Sequence, residues 1–405
     1  MDTGIRHLSA PIVPHPVRHR GRGRRLREAL LVCVITLGSS LVLLEVGLRL
    51  FLPQNGPGLI DGDPYTGLFV ADTATVYRNA PGVSVRHRSP EINTTYTTNG
   101  QGLREDHEIG SLPPGSARLL CLGDSFTFGW GVVGDQTYPD LLSGSRTADG
   151  LLLESLNAGV MGYGTDNEAV WLHTYGWALK PQIVLVGFFV GNDVSDVMAG
   201  MNKTHINAQN RLTATNRPGM PAGDSDETPA VGPLGTVKQW LAHHSHAYVF
   251  LRSLTHNLLQ PAPPTTLDDL DREVKFFHRT EPPDIAAGWD KATGLLDAMR
   301  ADTEAHGARL VVVALPTLNQ VQDGAWQALT RPFPVDTLLR DQPQRKLAAW
   351  SARTGTPLID LLPGFRAAKS SSLYFQLDRH WTAAGHALAA SLIKAALSRQ
   401  GLLSQ

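Results

Sequence analysis

The apolar positions of this chain fall into two patterns. Near the N-terminus, Ala29 to Leu44 runs without a charge, and the apolar character continues to Leu52 past Glu45 and Arg49. As a helix, residues 29–52 span about 35 Å, enough to cross a hydrocarbon layer of roughly 30 Å. Glu45 and Arg49, four apart, share one face of it. Further along, short, largely apolar runs alternate with segments of helical spacing. Ala117–Leu122, Leu151–Leu156, Ile183–Val190, Arg309–Leu315 and Pro357–Leu362 read as buried strands, and 165–178, 284–306, 336–353 and 382–399 as helices. Strands apolar on both faces and separated by helices belong to a parallel sheet covered on both sides. The pattern predicts the α/β class: a three-layer α/β/α sandwich with a mostly parallel central sheet, plus one N-terminal transmembrane helix.

Two stretches break the alternation. Residues 53–92, rich in Pro, Gly, Asp and Thr, read as a loop-rich collar beside the membrane, followed by a short strand Ile92–Thr98. From about 198 to 285 the chain turns polar over 205–234, helical over 235–259 (one or two helices) and polar again over 260–282. An insertion of that length is a natural lid or substrate-binding cap. The expected organisation is an arm over 1–27, an anchor over 28–52, a collar over 53–116 and a catalytic domain over 117–399 that carries the insertion.

Charge sharpens the N-terminal reading. The 405 residues carry a formal net charge of -1, yet residues 1–27 hold seven arginines against Asp2, a balance of +6 that leaves -7 for the remainder. A basic arm beside an apolar span is a topology signal rather than a nucleic-acid patch. It predicts a cytoplasmic N-terminus, an uncleaved anchor and a domain outside the cytoplasm. The two cysteines, Cys33 in the span and Cys121 in the first strand of the domain, are not placed to meet, and they support neither a disulfide nor a cysteine-ligated metal. The cluster His243, His244 and His246 lacks a convergent acidic partner and reads as surface histidines. No cofactor is expected.

The candidate chemistry gathers at strand ends. Leu119-Leu-Cys-Leu-Gly123-Asp124-Ser125 carries a serine straight out of a buried strand, with Gly123 permitting the turn. Asn157-Ala-Gly159 follows the next strand, and Gly159 can present an unshielded backbone N–H. Gly191-Asn192-Asp193 closes the wholly apolar strand, with Asn192 as an amide donor and Asp193 in a structural role. Asp378-Arg-His380-Trp381-Thr382 precedes the last helix, whose N-cap is Thr382. Ligands in open α/β sheets bind outside the carboxyl ends of the strands, where these groups would gather. Nucleophile, base, orienter and oxyanion donors are the parts required for acyl transfer. Trp381 is placed either beneath the imidazole or on an acyl pocket, and His386 reads as a packing or capping residue.

Those four separated blocks, in this order, resemble the SGNH (GDSL-type) hydrolase family over about 117–399. The resemblance implies Ser125 as nucleophile, His380 as base, Asp378 as its orienter, and Gly159 and Asn192 as oxyanion donors. Two departures stand out. Val190 occupies the place of the glycine two before Asn192, and Asp-x-His replaces Asp-x-x-His. The shorter spacing followed by Trp is similar to the polysaccharide-acetylating relatives, such as the alginate O-acetylation proteins. The expected function is a serine-dependent ester hydrolase outside the cytoplasm, acting on an acyl ester that an envelope glycan could supply. The alternatives are an O-acyltransferase of a cell-surface polysaccharide and a non-catalytic glycan-binding or assembly component.

Overall fold

The computed structural model describes residues 22–51, 63–207, 211–214, 233–259, 274–334 and 336–404. The first part of the arginine arm, and most of the two polar stretches foreseen in the insertion, lie outside these residues.

Helix α1 (Arg22–Phe51) is long and apolar enough, by length and composition, to cross a membrane over Leu26–Phe51. Among its described side chains only Leu44, Glu45, Gly47 and Leu48 are covered. Residues 63–115 carry more strand than the sequence suggested. An antiparallel hairpin pairs β1 (Phe69–Asp72) with β2 (Val76–Asn79), and a second pairs β3 (Ser84–Arg88) with β4 (Asn93–Thr97). Strands of four and five residues that bury only one or two side chains each leave too short an alternation to stand out among polar residues. Leu68, Phe69, Tyr77, Ile92, Tyr96 and Leu103 nevertheless join the same apolar cluster as one face of the main sheet.

That sheet starts with β5 (Ser116–Gly123), which runs into a single helical turn, α2 (Ser125–Phe128). After α3 (Tyr138–Leu142) come β6 (Leu152–Asn157), α4 (Thr165–Tyr175), β7 (Ile183–Phe189) and α5 (Asp193–Ala199). The insertion contributes a small antiparallel pair, β8 (Thr204–Ile206) with β9 (Leu212–Ala214), and two helices, α6 (Pro233–His244) and α7 (His246–Leu259). Beyond the helix Pro283–Ala305 lie β10 (Arg309–Leu315), the helix Gln342–Thr354, β11 (Leu358–Asp360) and the final helix Ala383–Arg399. The five long-range strands pair in the order β6-β5-β7-β10-β11, every neighbour parallel.

Alternate side chains leave a strand on opposite faces, and here both faces are apolar. Leu120, Leu122, Val184, Val186, Val312 and Ala314 meet Trp171 and Leu172 of α4, and Trp289 and Leu296 of the helix Pro283–Ala305. Leu119, Cys121, Leu185, Val311 and Val313 meet Phe126, Tyr138, Leu142 and the Ala389–Ile393–Leu397 face of the final helix. The three-layer expectation is met. Thr382 accepts from the Gly385 N–H and caps that helix as anticipated. The helix read as 336–353 begins only at Gln342, because Pro343 has no N–H to give and fits only a first turn. The last strand is shorter than the run Pro357–Leu362, since a new turn of helix starts at Leu362 with a proline in its first positions.

Residues 104 and 105 fasten the N-terminal hairpins to the C-terminal end of β6. The Arg104 N–H donates to the Asn157 carbonyl at 2.9 Å, and the Asn157 N–H donates to Glu105 Oε1 at 2.7 Å. Burial pushes the Glu105 carboxyl up to about 7, with the Asn157 N–H offsetting part of the effect. The folded protein therefore holds this proton over a range where the unfolded chain has released it, so stability falls as pH rises from about 4.5 through about 7. Glu105→Gln retains an acceptor and removes the titration. Its denaturation free energy, measured by urea melts, should lose on the order of 2 to 3 kcal/mol less than that of the parent chain between pH 5 and pH 8. Parallel pH profiles would contradict the assignment.

Candidate functional site

The strand-to-helix junction after β5 is closed by tight packing rather than by flexibility. Gly123 has a φ of +155°, and a Cβ there would collide with Thr127 Oγ1 and Cβ. Asp124 caps α2 by accepting from the Phe126 N–H at 2.9 Å. Ser125 is thereby the first residue of the turn, 7% exposed, at the C-terminal mouth of the sheet.

His380 arrives from the opposite end of the chain. Its Nε2 lies 2.7 Å from Ser125 Oγ, and its Nδ1 lies 2.6 Å from Asp378 Oδ1. Burial alone would push the Asp378 carboxyl up, but hydrogen bonding to His380 and the charge across that pair outweigh it and hold the group below its ordinary range. An ionised carboxylate can only accept, so Nδ1 carries the proton and Nε2 is left as an acceptor facing the serine hydroxyl. The imidazole leans on Phe126, with ring centroids 4.9 Å apart, and Phe126 stacks in turn on Phe189 at 4.0 Å. Trp381 is fully buried. It sits edge-on to Phe126 and stacks on Phe365, which places it behind the ring that supports His380 rather than on an open pocket.

The two expected oxyanion donors are placed less simply. Gly159 follows β6, and its N–H donates to its own neighbour, Asn157 Oδ1, at 3.0 Å. A Cβ at Gly159 would run into the Phe128 N and the Thr127 carbonyl carbon, so close backbone approach already accounts for the glycine. Asn192 follows β7 as the residue capping α5, with its carbonyl accepting from Ser195 Oγ at 2.7 Å and its Oδ1 buried without a partner. Asp193 has the structural part anticipated for it: it is fully buried and accepts from the Phe189 N–H at 2.9 Å. Burial first, and the neighbouring acids Glu168, Asp124 and Asp196 next, push its carboxyl well above the usual range. Glu168 of α4 is raised in the same way by burial and then by Asp124.

His386 packs as expected. It is buried, accepts from the Tyr138 N–H at 3.2 Å and stacks parallel to the Tyr138 ring; burial pushes it down to about 3. The histidine cluster differs from the surface reading. His244 is exposed, but His246 is 6% exposed because the first turn of α7 is covered by α1; the side chain of His243 lies outside the described residues. Among the described residues no group of His, Cys, Asp and Glu has the arrangement of a metal site. Cys121 is buried 3.6 Å from Ser155 Oγ, and burial pushes its thiol up to about 12.

Sequence reasoning missed Glu91. This residue lies at the tip of the β3–β4 hairpin, and its carboxylate accepts three consecutive backbone N–H groups, from Gln376 at 2.9 Å, Leu377 at 2.7 Å and Asp378 at 3.0 Å. It holds the loop that carries Asp378 and His380 from 285 to 287 residues away. A lone glutamate in a hairpin has no periodicity or motif to announce such a role. The other wall of the site comes from the same hairpin. Trp130 stacks on Tyr96, and the Tyr96 hydroxyl accepts from the Gly131 N–H and lies 2.7 Å from His87 Nδ1. Burial pushes His87 down to about 4, so it is neutral at neutral pH.

Residues 276–405 match the family model described as SGNH hydrolase-like domain, acetyltransferase AlgX. The matched stretch holds Asp378 and His380 and stops short of Ser125, Gly159 and Asn192. No curated protein matches the chain. Three solved structures illustrate its likenesses. A catalytic mutant of Axe2, an acetylxylan esterase from Geobacillus stearothermophilus, is 13% identical over 71% of this chain and 97% of its own, with a TM-score of 0.37. TesA is 12% identical over 70% and 98%, also at 0.37. A member of the lipolytic protein G-D-S-L family from Veillonella parvula is 11% identical over 70% and 100%, at 0.36. Likenesses of this size carry no argument about chemistry.

The Glu91 contact is open to direct measurement. Hydrogen bonds to a charged group contribute about 1.5–3 kcal/mol each, so Glu91→Ala should release the loop while the sheet persists. Amide exchange at Gln376, Leu377 and Asp378 is expected to accelerate by roughly tenfold or more, with β5 and β7 unaffected. Unchanged protection of those three amides would show that Glu91 does not hold the loop.

Proposed function

We propose that this protein is a serine-dependent acyl-ester enzyme that transfers the acyl group to water, tethered by α1 with its domain outside the cytoplasm. The observation that carries the reading is the continuous relay from Asp378 through His380 to Ser125, at 2.6 and 2.7 Å. His380 Nε2 takes the Ser125 proton as Oγ attacks an ester carbonyl. The oxyanion that forms is held by the Ser125 N–H, the Asn192 amide and the Gly159 N–H, which shares itself with or leaves Asn157 Oδ1. His380 then protonates the departing alcohol, and water, activated by the same nitrogen, releases the acid and restores Ser125. Asp378 fixes the tautomer and stabilises the imidazolium. Phe126 and Phe189 supply an apolar flank beside the reacting centre.

The tether follows from α1 and from the arginines before it: four of the seven, Arg22, Arg24, Arg25 and Arg27, lie in the first turns of the helix. The positive side of a span stays in the cytoplasm, which puts the site in the periplasm or cell exterior and within reach of an acylated envelope glycan.

A second reading has its own support: transfer of the acyl group to a polysaccharide hydroxyl. It is favoured by the match of residues 276–405 to a family whose description includes an acetyltransferase. Both readings share the acyl-enzyme and differ in what resolves it. Excluding water would favour transfer.

Two measurements test these assignments. Ser125→Ala should fold as the parent and lose hydrolysis of short acyl esters by about 10³-fold or more. Asp378→Asn, which no longer enforces the tautomer, should lose about 10²-fold or more with KM little changed. Full activity in Ser125→Ala would remove the nucleophile assignment. Product analysis with an acyl ester donor, with and without an oligosaccharide acceptor, separates the readings. Free acid at the same rate across acceptors is the expected result; acyl-glycan formation outrunning acid release would replace hydrolysis by transfer.

A further inference from the structure

The insertion returns to the anchor. Glu45 of α1 accepts from Ser245 Oγ at 2.9 Å, the His246 N–H at 3.1 Å and the Ala247 N–H at 2.8 Å, so a side chain of α1 caps the first turn of α7. Arg49 completes the joint, donating to Glu45 at 2.7 Å and to the His244 carbonyl at 2.9 Å. The covered face of α1, Leu44, Glu45, Gly47 and Leu48, is the face on which this joint lies. The turn between α6 and α7 is thus pinned near the C-terminal end of the apolar helix.

The hairpin so placed leaves four large apolar side chains uncovered among the described residues. Val237 is 56% exposed, Trp240 58%, Leu251 38% and Leu254 42%, at helical spacing on each helix. Lys238 and Arg252 are exposed on the same two helices. Residues 233–259 contain no Asp or Glu, in a chain whose residues 28–405 sum to -7. Trp and Leu on one side, Lys and Arg beside them, and no acid among them is the composition of a helix that lies in the headgroup region of an anionic bilayer. The exposed surface of α1 continues into this patch across the Glu45 joint.

We infer that α6 and α7 lie in the headgroup–acyl boundary of the leaflet from which α1 emerges, with Val237, Trp240, Leu251 and Leu254 dipping below the headgroups. This rests on α1 spanning the membrane. The hairpin sets the height and tilt of the domain above the bilayer, a constraint that a single helix with a loose linker does not impose.

The test uses the full chain with Cys33→Ser, reconstituted into vesicles of phosphatidylethanolamine and phosphatidylglycerol. Single cysteines replace Val237, Trp240, Leu251 or Leu254 in turn and carry a fluorophore, with Leu37→Cys as the marker for the span and Asp106→Cys, whose side chain is 91% exposed, as the marker for solvent. Lipids bearing a nitroxide just below the headgroup should quench all four hairpin positions, roughly twofold or more beyond Asp106→Cys, while Leu37→Cys is quenched by a nitroxide deep in the acyl chain. Quenching at Leu37→Cys with none at the four overturns the inference and leaves the span intact. Lack of quenching at Leu37→Cys overturns the span, and the inference with it. Efficient cross-linking between Trp240→Cys copies, without lipid quenching, would assign the patch to a second copy of this chain and also overturn it.

Discussion

The candidate site depends on one long-range hydrogen bond, that between Ser125 Oγ and His380 Nε2, which joins residues 255 apart in the chain. Ser125 is placed by the sheet: it opens the turn that follows β5, where Asp124 caps the turn and Gly123 and Gly159 pack closely against Thr127 and Phe128. His380 has no strand beneath it. It sits in a short loop before the final helix and is fixed from three sides: Asp378 within the loop, Phe126 against the ring, and Glu91 on the loop backbone. Rigid strand on one side and braced loop on the other is how a site reaches hydrogen-bonding distance without a covalent link.

Beneath this contact lies an uncommon electrostatic arrangement. Asp124, Glu168, Asp193 and Asp196 are all buried, and after burial itself the neighbouring acids push the carboxyls of Glu168 and Asp193 up. Only Lys203, itself 8% exposed, opposes them as a cation acting on Glu168. Burial disfavours the charged form of a carboxyl group and so raises its affinity for a proton. Glu168 and Asp193 accordingly hold their protons well above the ordinary carboxylate range, and Asp193 is the group that accepts from the Phe189 N–H in the loop carrying Asn192.

The sheet and the Ser–His–Asp relay were legible because their signals are local. A largely apolar run of six to eight residues reports burial on both faces, and Gly123-Asp124-Ser125 and Asp378-Arg379-His380 each carry their chemistry within three positions. What escaped was carried by contacts that leave no spacing to read. Glu91 finds its partners in the last thirty residues of the chain, His246 is buried because a helix two hundred residues earlier covers it, and the hairpins before β5 bury too few side chains per strand to show a period. The start of the helix at Gln342 was overestimated for the opposite reason: its apolar spacing extends upstream of Pro343, where backbone chemistry forbids the helix. Gly159 was read for its N–H, whereas the packing of its α-carbon against Phe128 already demands a glycine there.

The brace from Glu91 has a consequence for the order in which the molecule comes into being. During synthesis the β3–β4 hairpin leaves the ribosome among the first folded parts, and the amides it must grip, Gln376 to Asp378, among the last. Until some 285 further residues have followed it, the glutamate lacks the amides it grips and Ser125 lacks its contact with His380. A chain stalled before residue 376 therefore has neither the brace from Glu91 nor the contact between Ser125 and His380.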